Sequence, residues 1–329
     1  MSELIHTSEG TPDFQKAPLL RLADALCDFD RDALAAHTAR STGQPRGPQT
    51  GFASLDRHLG EALAPGVHGI QGNAGAGKTA FALQLAARCG FPALFVTCEM
   101  APAELLRRHT ARETGTFLGK FKTGEFSPEE AHALALRAIE RAPGLCFLDA
   151  TRAPAPRAHI NQCAQLVRAG ARGVLVVIDS LQSWTEGLAG FDEGGNAITD
   201  FRGAGEYEAL NFALKALRGL AHELEAPVLF VSEQNRDGMK SGGLNAGAGT
   251  RKIEYGAETI FDLCREMNTQ SDGAGEVEIK LRLAKNRHGA AGLEVPLKFN
   301  GALQRFRELG TSEAVERATA RAAKGGRGS

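Results

Sequence analysis

Between residues 67 and 87 the chain sets an apolar run, a glycine-rich octet and a helix-forming run in direct succession. The octet, Gly72-Asn73-Ala74-Gly75-Ala76-Gly77-Lys78-Thr79, reads as G-x-x-x-x-G-K-T. Val67-His68-Gly69-Ile70-Gln71 before it suits a buried parallel strand, and Ala80 to Ala87 after it is a strong helix former. A loop so placed directs the free N–H groups of a helix start at an anion. Gly72, Gly75, Ala76 and Gly77 would turn successive backbone N–H groups inward around phosphates, with Ala80 opening the helix behind them. Lys78 would reach the β- and γ-phosphates, and the Thr79 hydroxyl would sit on Mg²⁺. The motif thus fixes an α/β architecture and an ATP–Mg²⁺ ligand together.

The rest of the composition narrows the class. A formal net charge of −1 gives no global field toward nucleic acid or anionic lipid, so any such contact must be local. The six cysteines (Cys27, Cys89, Cys98, Cys146, Cys163, Cys264) include no C-x-x-C pair and read as reduced, mostly buried thiols of a cytoplasmic protein. No run approaches ~18 consecutive apolar residues, and Met1 to Lys16 is polar, which argues against a membrane span or a secretory signal.

Three segments are expected. Residues 1–49 hold a tail, a helix over 18–40 with apolar Leu19, Leu22, Leu26 and Phe29, and a Gly/Pro linker. Residues 50–309 alternate candidate strands (67–71, 93–97, 145–148, 174–178, 227–231, 259–263) with helical stretches (78–89, 102–113, 128–141, 157–169, 206–224), as in a mostly parallel sheet covered on both faces. Val277 to Ala284 alternates like a half-exposed antiparallel strand. Residues 310–329 form a Gly- and Ala-rich flexible tail.

Hydrolysis needs more than a phosphate loop. Asp179 ends the run Val174–Ile178, where a carboxylate meets the Mg²⁺ shell. Glu99 follows the strand 93–97; it suits either activation of the attacking water or the dipole of the helix opening at Pro102. Lys285-Asn286-Arg287 is placed on an exposed turn after the antiparallel strand, either as a solvated basic turn or as a charge for a transition state. No other arginine near these motifs occupies a position resembling a finger acting within its own subunit. Trp184 reads as a packed or interface aromatic.

From Thr50 to Phe306 the chain resembles the C-terminal ATPase domain of DnaB-type replicative helicases, within the RecA-like P-loop NTPase superfamily. The similarity runs through Thr50-Gly51-Phe52-Ala53-Ser54-Leu55-Asp56, Thr97-Cys98-Glu99-Met100 with Leu105 to Arg108, and Val177-Ile178-Asp179-Ser180-Leu181-Gln182. It continues in Leu214 to Leu224, Ser232-Glu233-Gln234-Asn235-Arg236 and Lys285-Asn286-Arg287-His288-Gly289. The resemblance implies that Glu99 is the catalytic carboxylate. It also implies that Lys285 and Arg287 act on the γ-phosphate of a neighbouring subunit in a ring, normally hexameric.

The chain departs from that pattern in three places. The residues before Thr50 hold no counterpart of the family's N-terminal helical domain. Glu233 stands where the family has its phosphate-sensing Gln, with Gln234 displaced by one, which turns it to the other face of the strand. The loop from Thr185 to Glu206 is acidic (Glu186, Asp192, Glu193, Asp200, Glu206 against Arg202), a sign that repels phosphate. The next loop is Gly-rich and basic, and its Arg236, Lys240, Arg251 and Lys252 are the candidates for contact with single-stranded DNA. It holds no aromatic residue within Arg236 to Lys252, so such contact would be blind to sequence. Two functions follow: a helicase or translocase motor on single-stranded DNA, or an ATPase whose nucleotide-dependent assembly recruits protein partners without unwinding.

Overall fold

The computed structural model describes residues 19–188, 206–233, 256–265 and 271–310. The chain divides into two compact units, 1–46 and 47–329. In the first, a 3-10 turn over Leu22–Ala25 leads into α1 (Leu26–Thr42), which Gly43 closes in the left-handed conformation at φ 68°. Neither the turn nor the helix has a buried residue, and Leu19, Leu22, Leu26 and Phe29 are all exposed.

The second unit is built on one sheet. After α2 (Ala53–His58) come β1 (Gly66–Gly72), α3 (Lys78–Arg88), β2 (Ala93–Thr97), α4 (Pro102–Thr114), α5 (Leu118–Thr123) and α6 (Pro128–Ile139). Then follow β3 (Leu145–Asp149), α7 (Arg157–Arg168), β4 (Leu175–Asp179), α8 (Leu181–Gly187), α9 (Glu206–Leu224) and β5 (Pro227–Glu233). The chain closes with β6 (Thr259–Arg265), β7 (Glu276–Asn286), β8 (Glu294–Asn300) and β9 (Arg305–Glu308). The strand order is β3-β2-β4-β5-β1-β6-β7-β8-β9. Pairing is parallel from β3 to β6 and antiparallel from β6 onward. This is the RecA-like arrangement the sequence leads one to expect.

Successive residues of the central strands feed opposite cores, which is why those strands read as unbroken apolar runs. Val177 and Leu229 pack with Phe81, Leu85 and Leu55 on one face. Val176, Ile178, Val228 and Phe230 pack with Trp184, Leu217 and Ile160 on the other. Each such buried side chain contributes roughly 1.5–3 kcal/mol. In β7 the alternation is one-sided: Val277, Ile279, Leu281 and Leu283 are buried, whereas Arg282 is exposed.

The segment Thr50–Asp56 is knotted by one carboxylate. Buried Asp56 accepts from Thr50 N (2.6 Å), Thr50 Oγ1 (2.7 Å) and Gly51 N (3.2 Å). Burial raises its pKa, and these bonds oppose the rise.

Two expectations need correction. All six cysteines are free thiols, but only Cys89 is buried; Cys27 and Cys146 are exposed, and Cys98, Cys163 and Cys264 lie between. Cys146 is exposed because β3 is an edge strand. The acidic segment after β4 is also shorter than expected, because Thr185 and Glu186 belong to α8. Among the described residues no helix is long and apolar enough to cross a membrane.

Candidate nucleotide site

The phosphate loop leaves the middle of the sheet. β1 lies between β5 and β6, and its last residue, Gly72, is in register with Glu233 and Leu263. A Cβ on Gly72 would stand 2.5 Å from the Leu263 carbonyl oxygen, so the strand can end there only with glycine. Gly77 caps α3 at φ 86°, and a Cβ on it would stand 2.9 Å from the Phe306 ring. The N–H groups of the first turn, from Lys78 onward, have no acceptor within the helix and remain open to an anion.

Lys78 donates from Nζ to the carbonyls of Gly72 (3.0 Å) and Asn73 (3.2 Å) and lies 3.8 Å from Glu233 Oε1. The Thr79 side chain faces the Asp179 carboxylate at the tip of β4 and favours its charged form. Asp179 is 3% exposed. Burial pushes its pKa up to about 6; the Thr79 hydroxyl opposes the rise, Glu99 adds to it, and Lys78 and Arg108 oppose it. A buried carboxylate beside a hydroxyl is a donor set that a hard divalent cation fits. Thr79 and Asp179 are therefore the residues that would hold Mg²⁺.

Glu99 stands exposed just past β2. Its Oε1 accepts from the hydroxyls of Ser180 and Ser183, the latter at 2.8 Å. Ser180 is the N-cap of α8, so that helix aims the carboxylate. With seven residues α8 is too short to show a period in the sequence, and the Ser180 cap is its only local signal. Trp184 of the same helix is 2% exposed and donates Nε1 to the Ala155 carbonyl at 2.8 Å.

An arginine missed from the sequence lies in the same cleft. Lys78, Thr79, Glu99, Arg108, Asp179, Glu233, Phe299 and Gln304 all line it. Arg108 of α4 thus brings a positive charge to the site from its own subunit, contrary to the expectation that no such arginine exists. Arg107 and Arg108 are adjacent in sequence and both pair with Glu104, but of the two only Arg108 lines the cleft, a distinction a motif string does not display.

Lys285 and Arg287 do not line this cleft. Lys285 is not on a turn: it is half-buried within β7 and paired with Ile260. Arg287 does lie beyond the strand, exposed, with Nη1 3.3 Å from Glu258 Oε1 and its backbone N–H on the Glu258 carbonyl at 3.0 Å. His288 Nε2 is 3.2 Å from the other oxygen of Glu258. The DNA candidates Arg236, Lys240, Arg251 and Lys252, and the displaced Gln234, lie outside the described residues.

Comparison with known proteins places the fold in a family. The model of the DnaB-like helicase C terminal domain matches residues 47–308. The replicative DNA helicase DnaB of Geobacillus stearothermophilus is 25% identical over 280 residues, which cover 81% of this chain and 58% of that protein. The counterpart from Leifsonia xyli subsp. xyli is 26% identical over 323 residues, covering 93% of this chain and 64% of that protein. The chain therefore spans about three-fifths of the length of these curated relatives. Among solved structures, an ATPase domain superposes with a TM-score of 0.66 at 20% identity, covering 86% of this chain and 99% of that one. A DnaB-like replicative helicase, described with its interactions with primase, superposes with a TM-score of 0.67 at 20% identity, covering 89% of this chain and 68% of that one. At that identity the superpositions establish the fold, and the family match adds the rest: with its phosphate loop on β1 and Asp179 closing β4, the chain belongs to the DnaB-like helicase C terminal domain family.

Proposed function

We propose that the protein is an ATP-hydrolysing helicase or translocase motor that works on single-stranded DNA in the cytoplasm as a ring, hexameric by family resemblance. The observation that carries the reading is the single cleft shared by Lys78, Thr79, Asp179 and Glu99. Gly72, Gly75, Gly77 and Ala80 offer backbone N–H groups to the phosphates, Ala76 turns its N–H to them from the Asn73 carbonyl that it bonds at 3.1 Å, and Lys78 exchanges its loop carbonyls for phosphate oxygens. Thr79 and Asp179 would hold Mg²⁺, which would supply positive charge against the phosphates. Glu99 takes the proton of a water whose oxygen attacks the γ-phosphorus as the bond to the β-phosphate oxygen breaks. Oε1 of Glu99 is occupied by two serine hydroxyls, and Oε2 has no hydrogen-bond donor among the described residues, so Oε2 is the proton acceptor.

Arg108 supplies positive charge from within the subunit, and Lys285 and Arg287 supply it from the next subunit around the ring. The exposure of Arg287 supports that role, since it must leave its own surface to act on a neighbour. Arg236, Lys240, Arg251 and Lys252 contact the DNA backbone through charge.

The test is ATP hydrolysis with and without single-stranded DNA, run beside strand displacement on a forked duplex and sizing with and without ATP. The motor reading predicts stimulation by DNA, assembly with ATP and displacement of the strand. Nucleotide-dependent assembly with hydrolysis indifferent to DNA and no displaced strand would instead establish an assembly switch for protein partners.

A further inference from the structure

Gln304 is a polar residue with no evident reason to be where it is. It sits in the turn between β8 and β9, is 8% exposed, and adopts the left-handed conformation at φ 52°, uncommon for a residue other than glycine. Both ends of its amide are engaged. Nε2 donates to the Gly301 carbonyl at 2.6 Å, which fixes the amide across its own turn. Oε1 accepts from Arg108 Nη1 at 2.9 Å, across 196 residues of sequence.

The hairpin that carries Gln304 is fastened to the nucleotide site at several points. Gln84, on the helix that follows the phosphate loop, donates to the Phe306 carbonyl at 2.8 Å and accepts from Phe306 N at 2.9 Å. Phe306 and Phe299 close over Gly77. Leu118 N, at the start of α5, donates to the Ala302 carbonyl at 2.7 Å. The turn is therefore fixed relative to both the phosphate loop and the end of α4.

Arg108 needs such a fixed partner. Its Nε donates to Glu104 Oε1 at 3.3 Å, but Glu104 is shared with Arg107 and Lys122. With Nε on Glu104 and Nη1 on Gln304, Nη2 is the guanidinium nitrogen with no hydrogen bond among the described residues. The charge is felt at Asp179, and both residues line the phosphate cleft.

We infer that Gln304 is a positioning residue for phosphoryl transfer: it holds Arg108 with Nη2 presented to a phosphate oxygen in the cleft. The inference rests on the ATPase reading and deepens it. A glutamine suits the task because its oxygen orients a guanidinium without the negative charge that would compete with phosphate for it. Since Gln304 acts through Arg108, its effect falls on the step in which phosphate charge develops and little on nucleotide affinity.

The experiment is steady-state ATP hydrolysis with separate kcat and KM for wild type, Gln304→Leu, Gln304→Gly, Gln304→Glu, Arg108→Ala and the Gln304→Leu/Arg108→Ala pair. Gln304→Gly guards against misfolding, because glycine relaxes the positive φ while still removing the acceptor. Loss of a bond to a charged group predicts kcat roughly tenfold lower in the Leu and Gly variants with KM changed less than about twofold. Gln304→Glu, which keeps an acceptor but adds a charge that competes with phosphate for the guanidinium, does not recover the rate, and the pair is no slower than Arg108→Ala alone. Wild-type kcat in Gln304→Leu and Gln304→Gly beside a slow Arg108→Ala overturns the inference and leaves the ATPase reading standing. Additive losses in the pair overturn it equally, since Gln304 would then act independently of Arg108. A wild type that binds ATP without turning it over overturns the ATPase reading, and the inference with it.

Discussion

Ser183, in the first turn of α8, donates its hydroxyl to Oε1 of Glu99 at 2.8 Å. The bond joins the helix after Asp179 to the tip of β2, so the Glu99 carboxylate and Asp179 are set by one piece of backbone. Cys98 N donates to the Asp179 carbonyl at 2.8 Å and ties the same two strand ends together. Glu99 is thereby held in place, although it stands exposed at the rim.

Replacing Glu99 by Gln keeps the shape and the serine bonds but removes the proton acceptor. ATP affinity should remain near wild type while hydrolysis falls by ~10²–10⁴-fold. Nucleotide binding followed by fluorescence, beside turnover, separates the two. An unchanged rate would make Glu99 a simple surface acid and turn attention to Glu233, 3.8 Å from Lys78.

Ser183→Ala should have a smaller effect of the same kind. One hydrogen bond to the carboxylate is removed while Ser180 retains the other, so kcat should fall roughly fivefold with KM little changed. A rise in KM without a fall in kcat would show that Ser183 serves binding.

His68 predicts how stability responds to acid. It is 1% exposed in β1, with Nε2 on the Ala64 carbonyl at 2.8 Å. Burial pushes its imidazole down to about 4, against the opposing effects of Ala64 and Glu258. An unfolded histidine titrates near ~6.5, so between those values the unfolded chain binds more protons than the native one. Stability should therefore fall as pH drops from ~6.5 toward 4, by roughly 3 kcal/mol from this residue. Urea melts of wild type and His68→Gln across that range should converge at low pH. Parallel curves would contradict the assignment.

Contact with DNA, as proposed, is electrostatic. Replacing Lys240, Arg251 and Lys252 together by Ala should weaken single-strand binding for every sequence, and the salt slope should drop by ~0.7 for each phosphate that is no longer neutralised. Weakening confined to some sequences would mean that bases are being read.

The parallel half of the fold is legible in the sequence because its strands are buried on both faces: Val174–Ile178 cannot be read as anything else between a helix and a carboxylate. The hairpin β8–β9 is not. Val295, Leu297 and Phe299 alternate properly, but Pro296 among them argues against a strand paired on both sides. The helices α2, α5 and α8, of six, six and seven residues, are too short to display a period. In the site, Lys78 and Thr79 announce themselves by the glycine-rich motif that opens α3, and Asp179 and Glu99 by position at strand ends. Arg108 and Gln304 do not, because their pairing is a long-range one that follows from the β8–β9 turn and from no local pattern.

The central claim is that hydrolysis is shared between copies, with Arg287 reaching the phosphates bound at Lys78 of its neighbour. Mixing Lys78→Ala with Arg287→Ala tests it directly. Each variant alone should be inactive: one loses the phosphate-binding charge, the other the charge supplied across the interface. In mixed assemblies some interfaces pair an intact Lys78 with an intact Arg287, so activity should return in part and should decline on dilution. No recovery at any ratio, or wild-type hydrolysis unchanged on dilution to a monomer, would contradict the account and place the complete active site within one chain.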